Sequence, residues 1–258
     1  EVGDAKSRQM IAVLDRARQL VSTFNQAASN LRSVADTAEM QLRDTVGKIN
    51  ALAEQVRAVN DRRRQNSAVV GVSGPDAQLY NALESLAELV DFTALEQDDG
   101  TVTVLVGGQV PLVLGDKKYA LATDFSNGLA QVVDAQGADI SGLITGGRIS
   151  TVLETKNTTI PALLADLDKL AAAVADRVNL TLAEGVDLAG VPPWKNLFVY
   201  SDQAAVTLAV SDILPEELAA AAADAPGGNG NALQLASLAG SKEVDGVRYA
   251  APCATDRI

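Results

Sequence analysis

Residues able to do chemistry are few in this chain of 258 residues. It has no histidine, so the commonest general base and the commonest metal ligand are both missing. Ser-His-Asp and Cys-His arrangements and histidine-containing zinc sites are thereby excluded, while carboxylates and lysines remain. Glu84, Glu88 and Asp91 lie near one another at helical spacing. Paired carboxylates of that kind cleave glycosidic bonds, as in a glycosidase or a peptidoglycan-cutting enzyme. Aromatic residues are only 3% of the chain, too few for the aromatic pocket that sugar binding needs, and a solvated helix surface explains the three acids better. Asp98 and Asp99 could be imagined on a metal, but no further acids follow at calcium-loop spacing, and Asp98-Asp99-Gly100 is a turn sequence. The glycine-rich stretch Gly227-Gly228-Asn229-Gly230-Asn231 lacks the Lys-Ser or Lys-Thr pair of a phosphate loop. Arg62-Arg63-Arg64 is the one triple-basic cluster; at a net charge of −12 it reads as a solvated helix terminus favoured by the helix dipole, not as a nucleic-acid patch. The single cysteine, Cys253, cannot form an internal disulfide or a thiolate metal site and is expected to be a free surface thiol. The chain is therefore expected to have no catalytic, cofactor-binding or metal-binding residue and to need no cofactor.

The elements around these residues carry more information. Met10, Leu14, Ala17, Val21, Phe24, Ala28, Leu31, Ala35, Ala38, Leu42, Thr45, Ile49, Leu52, Val56 and Val59 follow one another at alternating steps of four and three, and only Thr45 is not apolar. No proline interrupts the run, and Gly47 is its only glycine. Such a repeat specifies a long helix, about residues 5–65, that buries a narrow seam. It would reach roughly 75 Å at 1.5 Å per residue, where a globular domain of this chain length measures only about 40 Å across. A break at Ser67–Asp76, with Gly71, Gly74 and Pro75 as turn residues, leads to a second helix over 76–90. Strands are expected at Thr101–Val106, Gln109–Leu114, Lys118–Thr123 and Leu129–Asp134, separated by Gly107-Gly108 and other turns.

Helix returns over 148–182, where Ile160, Leu163, Leu164, Leu167, Leu170, Ala171, Val174 and Val178 form an apolar stripe. This stripe is the expected partner of the first seam, with Pro161 at a first turn or a kink. Trp194, Leu197 and Phe198 are expected to pin the following loop to the rod. Val206–Val210 reads as a strand, Pro215–Asp224 as an alanine-rich helix, and 232–238 as a last helix. The fold class is α+β: an elongated, coiled-coil-like domain of long antiparallel helices with a small antiparallel β domain inserted between them. The expected divisions are 1–92 (the first two helices), 93–147 (the β insertion) and 148–258 (the returning helix, a loop, a short strand and short helices). No stretch reaches the ~18 unbroken apolar residues of a membrane span. The first twenty residues carry Asp15, Arg16 and Arg18 and do not form a cleavable signal peptide.

Several local patterns, taken in order, resemble the flagellar hook-associated protein family FlgK. Leu52–Arg64, then Leu79–Val90, then Gln97-Asp98-Asp99-Gly100-Thr101-Val102-Thr103-Val104 are similar to the middle of that family. Gly107-Gly108-Gln109, Pro111-Leu112-Val113 and Tyr119-Ala120-Leu121 resemble its next strands, and Gly146-Gly147-Arg148-Ile149 the start of its returning helix. Asn179, Gly185, Asp187 and Gly190 resemble its Asn-x-x-His-x-x-Gly-x-Asp-x-x-Gly signature, with Leu182 where a histidine is usual. Asn231-Ala232-Leu233 is similar to a late Ala-Leu element. The region 194–206 is short, so the large outer domains of some members are expected to be missing, and the family's two terminal helical regions are expected to be absent as well.

The resemblance implies a structural protein at the junction of hook and filament, secreted through the flagellar type III apparatus to an extracellular place on the flagellum, and without catalysis. It implies as partners neighbouring copies in a ring, the hook protein, the next junction protein and, for the full-length protein, an export chaperone. No nucleic acid and no membrane are expected, and the isolated core should be monomeric. Another secreted helical rod, a filament or adhesin component, would share the seam and the acidity but not the motif order. An all-helical signalling coiled coil would lack the strands at 101–123.

Overall fold

Along the first helix, the seam is the face that folding hides. The computed structural model describes residues 2–65, 74–238, 243–244 and 247–248. Helix α1 runs Val2–Gln65, and none of the fifteen seam side chains is exposed: eleven are buried and Val21, Leu31, Ala35 and Leu52 are half-buried. Thr45, the one polar member, is 3% exposed and donates its hydroxyl to the Gln41 carbonyl at 2.6 Å. A bonded hydroxyl sits in an apolar seam at little cost.

The chain divides into two compact units, 1–32 with 162–258, and 33–161. These cut across the divisions expected at 92 and 147. The seam correspondingly serves two cores, which corrects the expectation of one continuous zip against 160–178. Up to Ala28 its residues share a core with Ala171, Ala175 and Leu182 of the returning helix. From Ala38 to Val59 they share a different core with the second helix, the strands and Ile149, Val152 and Leu153. The reason is visible in the second half of α1, where Val46, Ala53 and Asn60 are buried as well. The stripe there broadens from a coiled-coil seam into the wider face that a helix turns to a globular core.

The strand unit, 33–161, adds α2 (Gly74–Leu89) and β1 (Phe92–Glu96), β2 (Val102–Val106), β3 (Val110–Leu114) and β4 (Lys117–Lys118) in an antiparallel meander of that order. β5 (Ala122–Asp124) and β6 (Gln131–Val133) form a separate hairpin. Most of the expected 67–76 break lies outside the described residues, and Pro75 occupies the first turn of α2, where its missing N–H costs nothing. β1 was not foreseen: four of its five residues are exposed, so it has no inward apolar alternation to betray it. The strand expected at 118–123 is broken between β4 and β5. Val102, Val104 and Val106 point inward while Thr103 and Leu105 are half-covered. Opposite them, the pairing shifts between Val104↔Val113 and Leu105↔Pro111, leaving Leu112 as the extra residue of a bulge. The bulge reconciles an interior strand with Pro111, which has no N–H for a regular ladder.

The return begins with α3 (Gly147–Glu154), passes through a π-helical turn at Thr155–Thr159 and continues as α4 (Ile160–Ala183). Pro161 lies just beyond the π turn. A proline ring removes one helical hydrogen bond and crowds the preceding turn, and a widened turn accommodates both.

The alanine-rich unit, 1–32 with 162–258, continues after α4 with β7 (Gly185–Val186), β8 (Phe198–Val199), α5 (Ala204–Thr207), β9 (Ala209–Val210), β10 (Ala221–Ala222) and α6 (Gly230–Leu238), and Glu243–Val244 pairs antiparallel with Val247–Arg248. β7 pairs with β10 and β8 with β9. Two expectations are corrected here. Pro215–Asp224 is a 3₁₀ turn (Pro215–Glu217) followed by β10, because strand pairing with Gly185-Val186 and burial of Leu218, Ala219 and Ala221 outweigh alanine's helix preference. Val206–Val210 is split into α5 and β9. Cys253 lies outside the described residues.

Candidate functional site

What the polar residues of this chain do is hold backbone. On the last turns of α1, Asn60 is fully buried, and its amide nitrogen donates to the carbonyls of Val102 and Gly115, each at 2.8 Å. Its oxygen accepts the Val102 N–H, also at 2.8 Å. The side chain thus behaves as a strand segment that closes β2 against the turn after β3. Asn50, three helical turns earlier, does the same to Leu121, donating at 2.8 Å and accepting at 2.9 Å. Asn157, in the π turn, makes the matching pair with Ala130, both at 2.8 Å. In the alanine-rich unit, Asn179 of α4 repeats the device on Phe198, again with both bonds at 2.9 Å. A primary amide is the one side chain with the donor and acceptor spacing of a peptide group, so each joint satisfies two or three backbone groups that burial would leave unpaired. Only Asn179 of these four was singled out in the sequence; the other three break no apolar pattern strongly enough to be seen.

The end of α2 is a second joint. Asp91 accepts the N–H groups of Thr145 and Gly146 at 3.2 and 3.1 Å and the Thr145 hydroxyl at 3.0 Å. Its carbonyl accepts the Gly107 N–H at 3.1 Å. Gly147 has φ +74, and a Cβ there would lie 2.5 Å from the Leu89 carbonyl carbon and the Val90 nitrogen. The Gly146-Gly147 pair is therefore what lets α3 start against the end of α2. Asp91 is thus separated in role from Glu84 and Glu88, which stay on the exposed face of α2. The carboxylate triad suggested by spacing is not assembled.

Arg62, Arg63 and Arg64 form the last turn of α1 as expected, with Arg62 and Arg64 exposed to solvent, and each also has a partner. Arg62 donates to Gln78 Oε1 at 3.0 Å, Arg63 to the Gly100 carbonyl at 2.6 Å, and Arg64 pairs with Asp116 at 3.1 Å. Together they fasten the end of α1 to α2 and to two turns of the sheet. One of those turns is the acidic one. Asp99 accepts the Thr101 hydroxyl at 2.6 Å and its N–H at 3.0 Å, and these bonds, the hydroxyl's first, hold its carboxyl below the usual range. The acids there serve the turn. Glu54 is likewise lowered, first by its bond to Arg57 and then by Lys118.

In the alanine-rich unit, Asp187 accepts the N–H groups of Ala189 and Val191, both at 2.8 Å, across the turn in which Gly190 takes φ +80. A Cβ on Gly185 would lie 2.1 Å from Asn231 Nδ2, which donates to the Ala219 carbonyl at 2.6 Å. The spaced Gly, Asp, Gly and the later Asn are thus one packed loop system. The 227–231 stretch belongs to it, with Lys6 donating to the Gly227 carbonyl at 2.6 Å. Leu197 and Phe198 are buried anchors, each 3% exposed, but Trp194 is 74% exposed, correcting its assignment as an anchor. Its Nε1 donates to Glu217 at 3.3 Å, and Lys195 lies over its ring at 4.4 Å. A groove of about 620 Å³ lined by Met10, Val13, Leu182, Leu188, Leu218 and Leu235 is mostly apolar, with Lys6, Gln9 and Asn229 also in its lining. Among the described residues, no three Cys, Asp or Glu side chains gather as a metal cage, no buried side-chain nitrogen or oxygen lacks a partner, and no helix is long and apolar enough to cross a membrane. The arrangement is suited to fixing geometry.

Comparison with known proteins gives the same direction. Residues 3–198 match the family described as the flagellar hook-associated protein FlgK helical domain. Among solved structures the chain is similar to the flagellar hook junction protein FlgK from Burkholderia pseudomallei, with 26% identity and a TM-score of 0.66 over 77% of this chain and 37% of that one. The chain thus spans little more than a third of that relative's length. No curated protein sequence matches it.

Proposed function

The chain belongs to the helical-domain family of the flagellar hook-associated protein FlgK, and from that premise we propose that it is a structural, non-enzymatic part of the junction between hook and filament. The observation that supports this best is the use of its polar side chains: Asn50, Asn60, Asn157 and Asn179 are each consumed in bracing backbone. Joints of this kind resist shear between helix and strand, because sliding breaks two directional bonds at once. That is the property a torque-transmitting part needs.

On this reading the protein acts outside the cell, on the flagellum, after export through the flagellar type III apparatus. Its partners are neighbouring copies in a ring, the hook protein and the next junction protein, and an export chaperone serves the longer protein. Contacts in a ring are heterologous, so they rely on complementary rather than self-complementary surfaces. Nucleic acid and membranes are not partners. The test is deletion of the full gene in the organism that carries it. Cells should keep hooks, lose attached filaments and stop swimming, and recover with the intact gene. Normal filaments in the deletion strain would refute the role. The isolated chain should sediment as a monomer.

A further inference from the structure

The two cores differ in kind. Among the described residues, all twelve of the largest fully buried side chains, from Leu42 and Ile49 to Val113 and Val132, belong to the strand unit. Seven of the sixteen buried side chains in the other core are alanine, against four of twenty-six in the strand unit's core. An alanine methyl buries far less apolar area than leucine, isoleucine or valine, so the core of the alanine-rich unit gains less from leaving water.

The helical crossings from one unit to the next are also weak points. In α1, Ala28 is fully buried and Ala38 is 5% exposed, but no side chain from 29 to 37 is buried. That stretch contains Ser29, Asn30, Ser33, Asp36 and Thr37, all poorer helix formers than alanine. With no fully buried side chain, that stretch ties the two cores together only weakly. The return crosses at Pro161/Ala162, directly after the π turn at Thr155–Thr159. The backbone bonding changes there from α to π, which marks a structural boundary between α3 and α4.

From these observations we propose that the chain unfolds in two steps, the alanine-rich unit opening while the strand unit stays folded. Cooperativity extends as far as shared buried contacts carry it, and sub-global opening follows such boundaries. Hydrogen exchange on the whole chain under native conditions tests this without any substitution. Amides of 171–182 should exchange about tenfold or more faster than those of 42–56, as sub-global opening requires. In calorimetry, Leu182→Ala should lower the earlier transition by about 10 °C and leave the later one in place, and Leu112→Ala should do the reverse. Equal protection in the two segments overturns the proposal. So does a single transition whose midpoint both variants move.

Discussion

The strand unit and the alanine-rich unit use the same device on different foundations. In both, an asparagine on a helix braces a passing strand, Asn60 on β2 in one and Asn179 on β8 in the other. In the strand unit the brace lies over a core of leucine, isoleucine and valine with a four-stranded sheet. In the alanine-rich unit it lies over closely packed alanines and strand pairs only two residues long. Small side chains let backbones approach closely, but they supply little hydrophobic free energy. Apolar burial therefore carries a larger share of the stability in the strand unit than in the alanine-rich unit.

The sharpest way to break this contrast is to put a charge into the stronger core. Leu42 is fully buried, and Leu42→Asp combines a lost aliphatic side chain with an unpaired buried carboxylate, a loss of about 4 kcal/mol or more. Thermal unfolding should drop steeply or fold should be lost from the strand unit. Gln41, one position away and exposed, should tolerate aspartate within about 0.5 kcal/mol. Equal effects at the two positions would mean the assigned face of α1 is wrong.

Next in size are the braces. Asn60→Ala leaves the Val102 N–H and the carbonyls of Val102 and Gly115 without their partner, which should cost about 2–4 kcal/mol. Asn179→Ala frees one donor and one acceptor at Phe198 and should cost about 1–3 kcal/mol. Urea unfolding of both variants compares them directly. A larger loss at Asn179 than at Asn60 would shift the balance toward the alanine-rich unit's joint. Far below either, Trp194→Ala removes an exposed ring held by Glu217 and Lys195 and should change stability by no more than about 0.5 kcal/mol. A loss comparable to the brace variants would mean that the indole anchors its loop after all.

Legibility in the sequence followed periodicity. The seam of α1 was readable because every third or fourth residue obeys it, and β2 and β3 because their valines alternate or run together between glycine turns. Of the braces only Asn179 stood out, as part of a familiar order; an asparagine such as Asn50 on a helix flank looks like any solvated residue until Leu121 is known to pass beside it. β1 lacked an apolar face, and β10 sits in a sequence whose local preference is helical. The glycines Gly146, Gly147 and Gly185 were visible only as pieces of a familiar order. Their cause, atoms of the Asp91 side chain, the Leu89–Val90 backbone and the Asn231 amide lying 3.2 Å or less from where a Cβ would be, is a fact of packing between segments far apart in the chain. The partner of the seam's second half was missed for a related reason: periodicity marks which face is buried and is silent about what covers it.

The smallest expected effect sets the units apart by pH. In the alanine-rich unit, the Tyr200 hydroxyl donates to Asp176 at 2.9 and 2.8 Å, and that bond, with burial and the nearby negative charge, raises its pKa. A raised folded pKa favours the protonated form, so this contribution is complete below the ordinary tyrosine value of about 10 and is lost as pH climbs through the folded value. In the strand unit, the lowered carboxyls of Asp99 and Glu54 act in the opposite sense. Their contribution is present above the ordinary carboxylate range of about 4 and fades as pH falls through the depressed folded values. Raising the pH past about 10 should therefore weaken Tyr200→Phe less than the parent chain. Acidification below about 4 should weaken Asp99→Asn less. Both slopes are read from melting midpoints across pH. If Tyr200→Phe lost stability with alkali as steeply as the parent, the Tyr200–Asp176 bond would not be what makes the alanine-rich unit sensitive to base.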